Sequence, residues 1–410
     1  MNKLNKLLII GFVLPEPNSS AAGNRMMQLI DLFKENNYKI TFASTAQNIE
    51  FSENLEKHSV DFVKIELNSE TFDEFIKQLN PDVVLFDRFL TEEQFGWRVC
   101  ENCPNALRIL DTEDLHSLRY EREIAIKENR LFDTKVLLKS EFAKREIASI
   151  YRCDVSLLIS EYEIDLLTNL FKIPNSLLHY LPILIENQEN NSIAFKDRKD
   201  FIFIGNFLHE PNWDCVKYLH NSIWPLLNAK MPDVKMLIYG AYPSQKVLEL
   251  HKPKSNFLIM GRAENAKEVI TNARVVLAPI RFGAGIKGKL LEAMQCGTPS
   301  VTSSIGAEAM NGNLDWNGFI NDNPVDFVTN AISLYTDEKL WVKSQENGYT
   351  IIQERFLKSK FDVNFSTKIN SILSNLERHR DQNFIGTLLN FHSFKSTKYM
   401  SKWIEEKNKK

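Results

Sequence analysis

The stretch from Arg274 to Glu308 concentrates the residues best able to do chemistry. A buried-strand pattern, Val275-Val276-Leu277-Ala278, stops at Pro279, and a glycine loop, Arg281-Phe282-Gly283-Ala284-Gly285-Ile286-Lys287, opens a helix. Glycines let a backbone come close to a ligand, the free amides and dipole of a helix start favour an anion, and Arg281 and Lys287 add full positive charges. This combination suits a phosphate. Glu292 falls about one and a half turns into the helix, where a carboxylate can accept hydrogen bonds from vicinal hydroxyls such as those of a ribose. Together they point to a nucleotide. The helix is expected to stop at Gly297, a left-handed cap, with Pro299 just beyond.

Each residue also has a plainer reading: Leu290, Leu291 and Met294 as core, the lysines and Glu292 as solvated charge. A sharper rival is the dinucleotide fingerprint, because Gly283-x-Gly-x-x-Gly288 lies between strand and helix with Glu308 downstream, which would make an NAD-dependent oxidoreductase. Lys287 and Lys289 crowd a helix start that such turns leave to backbone and dipole, which argues against it.

Further upstream, Asp111, Glu113, Asp114 and His116 follow the strand Arg108–Leu110. A carboxylate or imidazole there can orient an incoming hydroxyl or take its proton, and the roles are assigned to Asp111, Asp114 and His116; the plainer reading is an acidic, solvated loop. One histidine among hard oxygens, and no Asp-x-Asp, argue against a metal. The loop Pro15 to Arg25, ending in Gly23-Asn24-Arg25 before a helix, is a second acceptor-side candidate or a turn and cap.

These loops need elements to hold them. Strand-like runs alternate with helical patterns throughout, the mark of βαβ units and parallel sheets, so an α/β fold of two doubly wound domains facing a cleft is expected. The first half offers Lys6–Phe12, Lys39–Ala43, Val60–Glu66, Val83–Phe86, Arg108–Leu110, Lys135–Leu138 and Val155–Ile159. The second offers Phe201–Ile204, Lys235–Tyr239, Phe257–Met260, Arg274–Ala278 and Ser300–Ser303, with a helix over Trp213–Leu227. The expected organisation is a first domain over 1–188, a polar linker over 189–200, a second domain over 201–360, and a helix and basic tail over 361–410. Loops after the strands' carboxyl ends are where a shared cleft belongs.

Composition narrows the class. With 410 residues, 43% apolar and 25% charged, the chain is neither disordered nor a disulfide miniprotein. Its net charge of −3 gives no footprint for nucleic acid. Five cysteines, with Cys100 and Cys103 a lone Cys-x-x-Cys, fit reduced thiols and a cytoplasmic setting. The apolar run Leu7–Leu14 is too short to span a bilayer; behind Lys3 and Lys6 it imitates a signal peptide, but it continues as strand, loop and helix.

The run Gly-Ala-Gly-Ile-Lys-Gly-Lys-Leu-Leu-Glu-Ala-Met-Gln-Cys-Gly-Thr-Pro, then Ser303 to Glu308, resembles the donor-site signature of GT-B glycosyltransferases, in particular the fourth glycosyltransferase family. The resemblance continues through Phe203 to Asp214, Ile259 to Arg262 and Leu110 to Arg119, so it covers most of residues 1–375. It implies two Rossmann-like domains, a nucleotide-sugar donor on the second, a glycan or lipid-linked acceptor on the first, retention at the transferred sugar, and no cofactor or metal. Carried over, Glu292 is similar to the ribose-binding glutamate and Gly283, Ala284, Gly285, Ile286 and Lys287 to the diphosphate loop, with Lys287 stabilising the leaving group. Gly205, Asn206, His209, Asn212, Gly261 and Arg262 complete the implied donor side. Two positions depart: Ala284 stands where many members have a glutamate, and Gly205, Asn206, His209 and Asn212 stand where many have Arg and Lys, which leaves Arg281, Lys287 and His209 to neutralise the diphosphate. A catalytically silent nucleotide-sugar binder or scaffold is the rival of another class. The tail, with Lys395, Lys398, Lys402, Lys407, Lys409 and Lys410 beside Phe391, Phe394, Tyr399, Met400 and Trp403, either docks weakly on an anionic inner membrane face or packs back on the first domain.

Overall fold

A computed structural model of the chain describes residues 4–47, 51–187 and 193–408. Two parallel sheets carry the molecule. In the first, β1 (Asn5–Gly11), β2 (Tyr38–Ser44), β3 (Asp61–Lys64), β4 (Val83–Asp87), β5 (Leu107–Asp111), β6 (Val155–Leu158) and β7 (Leu178–Tyr180) lie in the order β3-β2-β1-β4-β5-β6-β7. In the second, β8 (Lys199–Ile204), β9 (Met236–Tyr239), β10 (Phe257–Gly261), β11 (Ala273–Ala278), β12 (Ser300–Thr302) and β13 (Gly318–Ile320) lie in the order β10-β9-β8-β11-β12-β13. Every pairing between these strands is parallel.

Helices cover both faces of each sheet, which is why the central strands are apolar without alternation. Along β1, Leu8 and Ile10 enter one core of the first sheet and Leu7 and Ile9 the core on its other face. The order reverses between β1 and β4 in one sheet and β8 and β11 in the other. Loops leaving the carboxyl ends at such switch points form a crevice.

The chain leaves the second domain after the helix Glu338–Arg355 and returns to the first. At the crossing the Ile185 amide donates to the Phe356 carbonyl and the Ile185 carbonyl accepts from the Lys358 amide, and Phe365, Ile369 and Ile372 of the helix Asp362–Ser374 fill a core of the first sheet. Arg380 grips Asp154 with two bonds of 2.8 Å, and the final helix, Phe384–Asn408, packs on the helices Arg88–Asn102 and Glu141–Arg152.

Some expectations shift. Lys135–Leu138 is a 3-10 turn within Thr134–Lys139, opened by Asp133 accepting from the Lys135 amide, and of its apolar run only Leu137 is buried. The short strands β7 and β13 are additions to the expected set. The expected helix over Trp213–Leu227 starts at Glu210 and passes through a π turn at Leu219–Ile223 before Trp224–Lys230. Within the expected linker, residues 189–192 lie outside the described residues, while Lys199 and Asp200 already belong to β8. Lys409 and Lys410 also lie outside the described residues. No helix among the described residues is long and apolar enough to cross a membrane.

Candidate active site

Between the sheets lies a cleft of about 960 Å³, lined from both domains. On the second-domain side, Gly205 and Asn206 follow β8, Gly240 to Tyr242 follow β9, Arg262 follows β10, and Ile280, Phe282 to Ala284 and Ile286 to Lys289 follow β11.

The loop after β11 is shaped by its glycines. Gly285 sits at φ +62°, and an added Cβ would stand 2.9 Å from Asp114 Cβ and Ile159 Cδ1 of the first domain. The helix Gly288–Gln295 starts at the cleft, and the chain turns at Gly297, φ +61°, as a left-handed cap requires. Lys287 is 8% exposed; its Nζ donates to the carbonyls of Gly285 at 2.7 Å and Ala284 at 3.3 Å. Desolvation lowers its pKa to about 8, while the two carbonyl dipoles favour the ammonium form. Ala284 and Ile286 are buried beside it, and Glu292 lines the cleft further along the helix. Burial raises the Glu292 carboxyl above its ordinary range, against the pull of Lys289 and Lys267.

Across β8, a Cβ on Gly205 would meet the Asn212 side chain at 2.8 Å, so the loop and the next helix close on each other only over glycine. Asn212 donates to the Asn206 carbonyl at 2.8 Å and accepts from Lys289 Nζ at 2.8 Å. It lies inside the first turn; His209, exposed in the cleft, takes the N-cap position. Lys289 is thus a second cation on the donor side, taken from sequence only as a crowding charge. Arg262 faces the cleft with its guanidinium 4.2 Å from the Phe51 ring centre, whereas the Gly261 carbonyl accepts from Gly240.

Arg281 departs from its expected role. Its guanidinium forks onto Asp214 and lies over the Tyr218 ring, off the cleft wall, because the neighbouring helix offers a carboxylate within reach. Gly285 likewise lies just behind the wall, supporting Ala284 and Ile286.

The first-domain wall is built on β5. Asp111, expected to face the acceptor, is fully buried and accepts from Arg25 at 3.2 Å, while Arg25 also donates to the Pro182 carbonyl at 2.8 Å. That pair ties β5 to the first helix and the strand-end loop, so Asp111 holds the wall rather than meeting a substrate. Gly23 is required by packing: a Cβ there would lie 2.4 Å from the Glu16 backbone. Asn24 lines the cleft and accepts from Gln28 at 3.2 Å.

Beyond Asp111 the loop presents Glu113, Asp114 and His116 to the cleft. Burial alone would raise the Asp114 carboxyl, but the Arg119 guanidinium, bonded to it, holds it below the usual carboxylate range. His116, with Nε2 3.4 Å from Asp114, is kept neutral by desolvation, its pKa lowered to about 3. Glu113 had no role assigned from the sequence. It sits at φ +61°, lines the cleft, and desolvation, then the Asp111 charge, raises its carboxyl well above the usual range. A strained residue with a shifted carboxyl in a cleft is a functional-site signature. Glu146 accepts the His116 and Ser117 amides at 2.9 and 3.1 Å and so caps the helix that carries this loop. Glu308, the acid a dinucleotide reading needs for its ribose, is instead forked by Arg122.

Residues 198–337 match the family described as glycosyl transferases group 1. An uncharacterized 44.6 kDa protein of the cps region of Klebsiella pneumoniae is 22% identical over 291 residues, 67% of this chain and 72% of that one. Among solved structures, HepE of Anabaena in complex with UDP and glucose superposes with a TM-score of 0.64 at 12% identity, over 89% of this chain and 99% of that one. TarM superposes at 0.69 and 10% identity over 90% and 99%, although this chain spans only 58% of a mutant S. aureus TarM chain. Residues 198–337 thus resemble a group 1 glycosyl transferase domain, and the chain as a whole shares the fold of these solved structures.

Proposed function

We propose that the protein transfers a sugar from a nucleoside-diphosphate sugar to a hydroxyl of a glycan or lipid-linked acceptor in polysaccharide synthesis, with retention at the transferred carbon and without a metal or other cofactor. The observation that carries this reading is the Lys287 ammonium at the start of the helix Gly288–Gln295, with Glu292 one and a half turns on and the Glu113–His116 loop facing both across the cleft. A diphosphate fits the helix start and the ammonium, and a ribose fits the carboxylate. As the glycosidic C–O bond breaks, negative charge grows on the departing phosphate, where Lys287 meets it. The acceptor hydroxyl loses its proton to that phosphate while the new C–O bond forms on the same face. Positioning and charge stabilisation then supply the catalysis. The UDP and glucose bound by HepE, and the cps location of the Klebsiella relative, support the donor class and the pathway.

The outward face of the helix Phe384–Asn408, where Phe391, Tyr399, Met400 and Trp403 are exposed, fits peripheral contact with an anionic inner membrane face. The test of the donor class is a thermal-shift panel with UDP, GDP and NAD, followed by nucleotide release from UDP-glucose, UDP-GlcNAc, UDP-galactose and GDP-mannose. A nucleoside diphosphate at 100 times its Kd adds about 2.7 kcal/mol and shifts Tm by a few degrees. Stabilisation by NAD alone overturns the reading. Chelator leaves transfer intact, and the anomeric configuration of the product tests retention.

A further inference from the structure

The diphosphate loop belongs to the second domain, yet two of its backbone groups are held by side chains of the first. Arg122, on the helix His116–Lys127 that follows the acceptor-side loop, donates Nη1 to the Gly283 carbonyl at 2.7 Å. The same guanidinium forks onto Glu308, at 2.8 Å from Nη1 and 2.6 Å from Nη2. It is 5% exposed and set between two rings of its own domain, 5.4 Å from the centre of Phe132 and 5.3 Å from that of Tyr162. A guanidinium fixed on one side by aromatic faces and on the other by a two-pronged carboxylate has little freedom.

Glu163, on the helix Glu161–Asn169, makes the second hold. Its Oε1 accepts from the Gly285 amide at 2.8 Å and from the Leu115 amide at 3.0 Å, so one carboxyl oxygen joins the diphosphate loop to the loop that carries Asp114 and His116. Glu163 is fully buried and stands behind the cleft wall, and neither it nor Arg122 lines the space a substrate would fill.

We propose that Arg122 and Glu163 are positioning residues: they clasp the diphosphate loop to the first domain, close the cleft, and set Lys287 and the acceptor-side loop in register. The proposal rests on the donor-site reading above. Gly283 and Gly285 are the two residues that bracket Ala284, one of the carbonyls that Lys287 meets, and Gly285 supplies the other. Releasing either hold frees the ammonium that is to meet the leaving group. Nucleotide binding, which also draws on Glu292 and the loops after β8 to β10, is retained. Loss of alignment by about 1 Å is enough to slow a reaction about a hundredfold.

The test compares Arg122→Gln, Glu308→Gln, their double variant, Glu163→Gln and Glu163→Ala in the full chain. Two readouts apply: nucleotide release from the four sugar nucleotides named above, and small-angle scattering of the unliganded protein. Arg122→Gln and Glu308→Gln each lower kcat at least about tenfold while the donor KM changes about threefold or less. The double variant loses no more than the worse single one, since both remove one interaction. Glu163→Gln keeps an oxygen acceptor for both amides and stays within about twofold of the parent, whereas Glu163→Ala falls with Arg122→Gln. Scattering shows a larger radius of gyration for Arg122→Gln and for Glu308→Gln. Unchanged kcat and radius in these two variants, multiplicative losses in the double, or losses carried wholly by KM overturn the proposal. If UDP and GDP fail to stabilise the parent and no donor is turned over, the donor-site reading is what fails, and the scattering comparison still decides whether the clasp exists.

Discussion

Lys287 and Glu292 share a helix and a cleft, and their removal is expected to differ in effect. Glu292→Ala takes away the acceptor of two hydroxyls and weakens nucleotide binding by about 1.5–3 kcal/mol, read by calorimetry with UDP or GDP. Lys287→Ala costs turnover as well, by about a hundredfold or more, because charge builds on the diphosphate only as the bond breaks. Variants that bind and turn over as the parent does would place the site elsewhere. The Lys287 pKa, lowered to about 8 by desolvation, gives a pH signature. Below it the free enzyme carries the ammonium; as pH rises through 8 the charge is lost and diphosphate affinity falls, and between about pH 8 and 10 binding takes up a proton. The folding linkage has the opposite direction: this lysine binds fewer protons folded than unfolded above pH 8, so its share of stability grows toward pH 10.5. Arg25 and Asp111 are a different case. Arg25→Ala strands a fully buried carboxylate and is expected to cost about 3–5 kcal/mol of stability in a denaturant titration. A pure loss of kcat at unchanged stability would return Asp111 to the catalytic set.

At the scale of elements, Gly285→Ala tests whether the diphosphate loop tolerates a side chain. The residue combines φ +62° with a 2.9 Å approach to Asp114 Cβ, so the variant is expected to bind nucleotide more weakly and to turn over at least about tenfold more slowly, measured by nucleotide release. That loop was legible because strand, glycines, Lys287, Glu292 and the Gly297 cap all lie within one short stretch of sequence. The buried strands were legible for a similar reason, as in Leu7-Leu8-Ile9-Ile10 of β1. What escaped was either too short or too distant. β7 is three residues long and holds His179 and Tyr180, too little pattern for a strand. Lys135-Val136-Leu137-Leu138 has a strand's composition, but the Asp133 turn wins. Arg281 looked like a phosphate ligand because nothing in its own loop opposes it; Asp214, its partner, lies 67 residues away. Glu163 and Arg122 carried no local signal, being meaningful only once Gly285 and Glu308 arrive from the other domain. Glu113 sat in plain view between Asp111 and Asp114, but only its strained backbone and burial distinguish it from a solvated acid.

For the whole molecule, the final helix carries the proposed membrane contact. One face of Phe384–Asn408 is committed to the first domain: Phe394 packs under Arg152, and Ser401 and Glu405 meet the buried Arg98. Cutting the helix off would strip Arg98 of partners and confuse stability with docking, so point variants on the outer face are the cleaner probe. There Phe384, Phe391, Tyr399, Met400 and Trp403 are each more than half exposed, while Phe394 and Ser401 are buried. A helix apolar on both sides has a second surface to satisfy. Lys395 lies 3.7 Å over the Phe391 ring and Lys407 5.2 Å over that of Trp403, so cations and aromatics alternate as an anionic interface favours. Lys398 and Lys402 are engaged with Glu101 and Glu70, which leaves the attraction weak. At about 1 kcal/mol per lysine near the surface, binding is expected to be reversible and lost at high salt. The full chain is therefore expected to sediment with vesicles rich in anionic phosphatidylglycerol at low salt and to leave them at 0.5 M salt. It should ignore neutral phosphatidylcholine vesicles. A Phe391→Ser, Trp403→Ser double variant should fold with the parent's Tm and stay in the supernatant. Equal pelleting of parent and variant, or self-association of the parent that the same variant abolishes, would assign the aromatic face to something other than lipid.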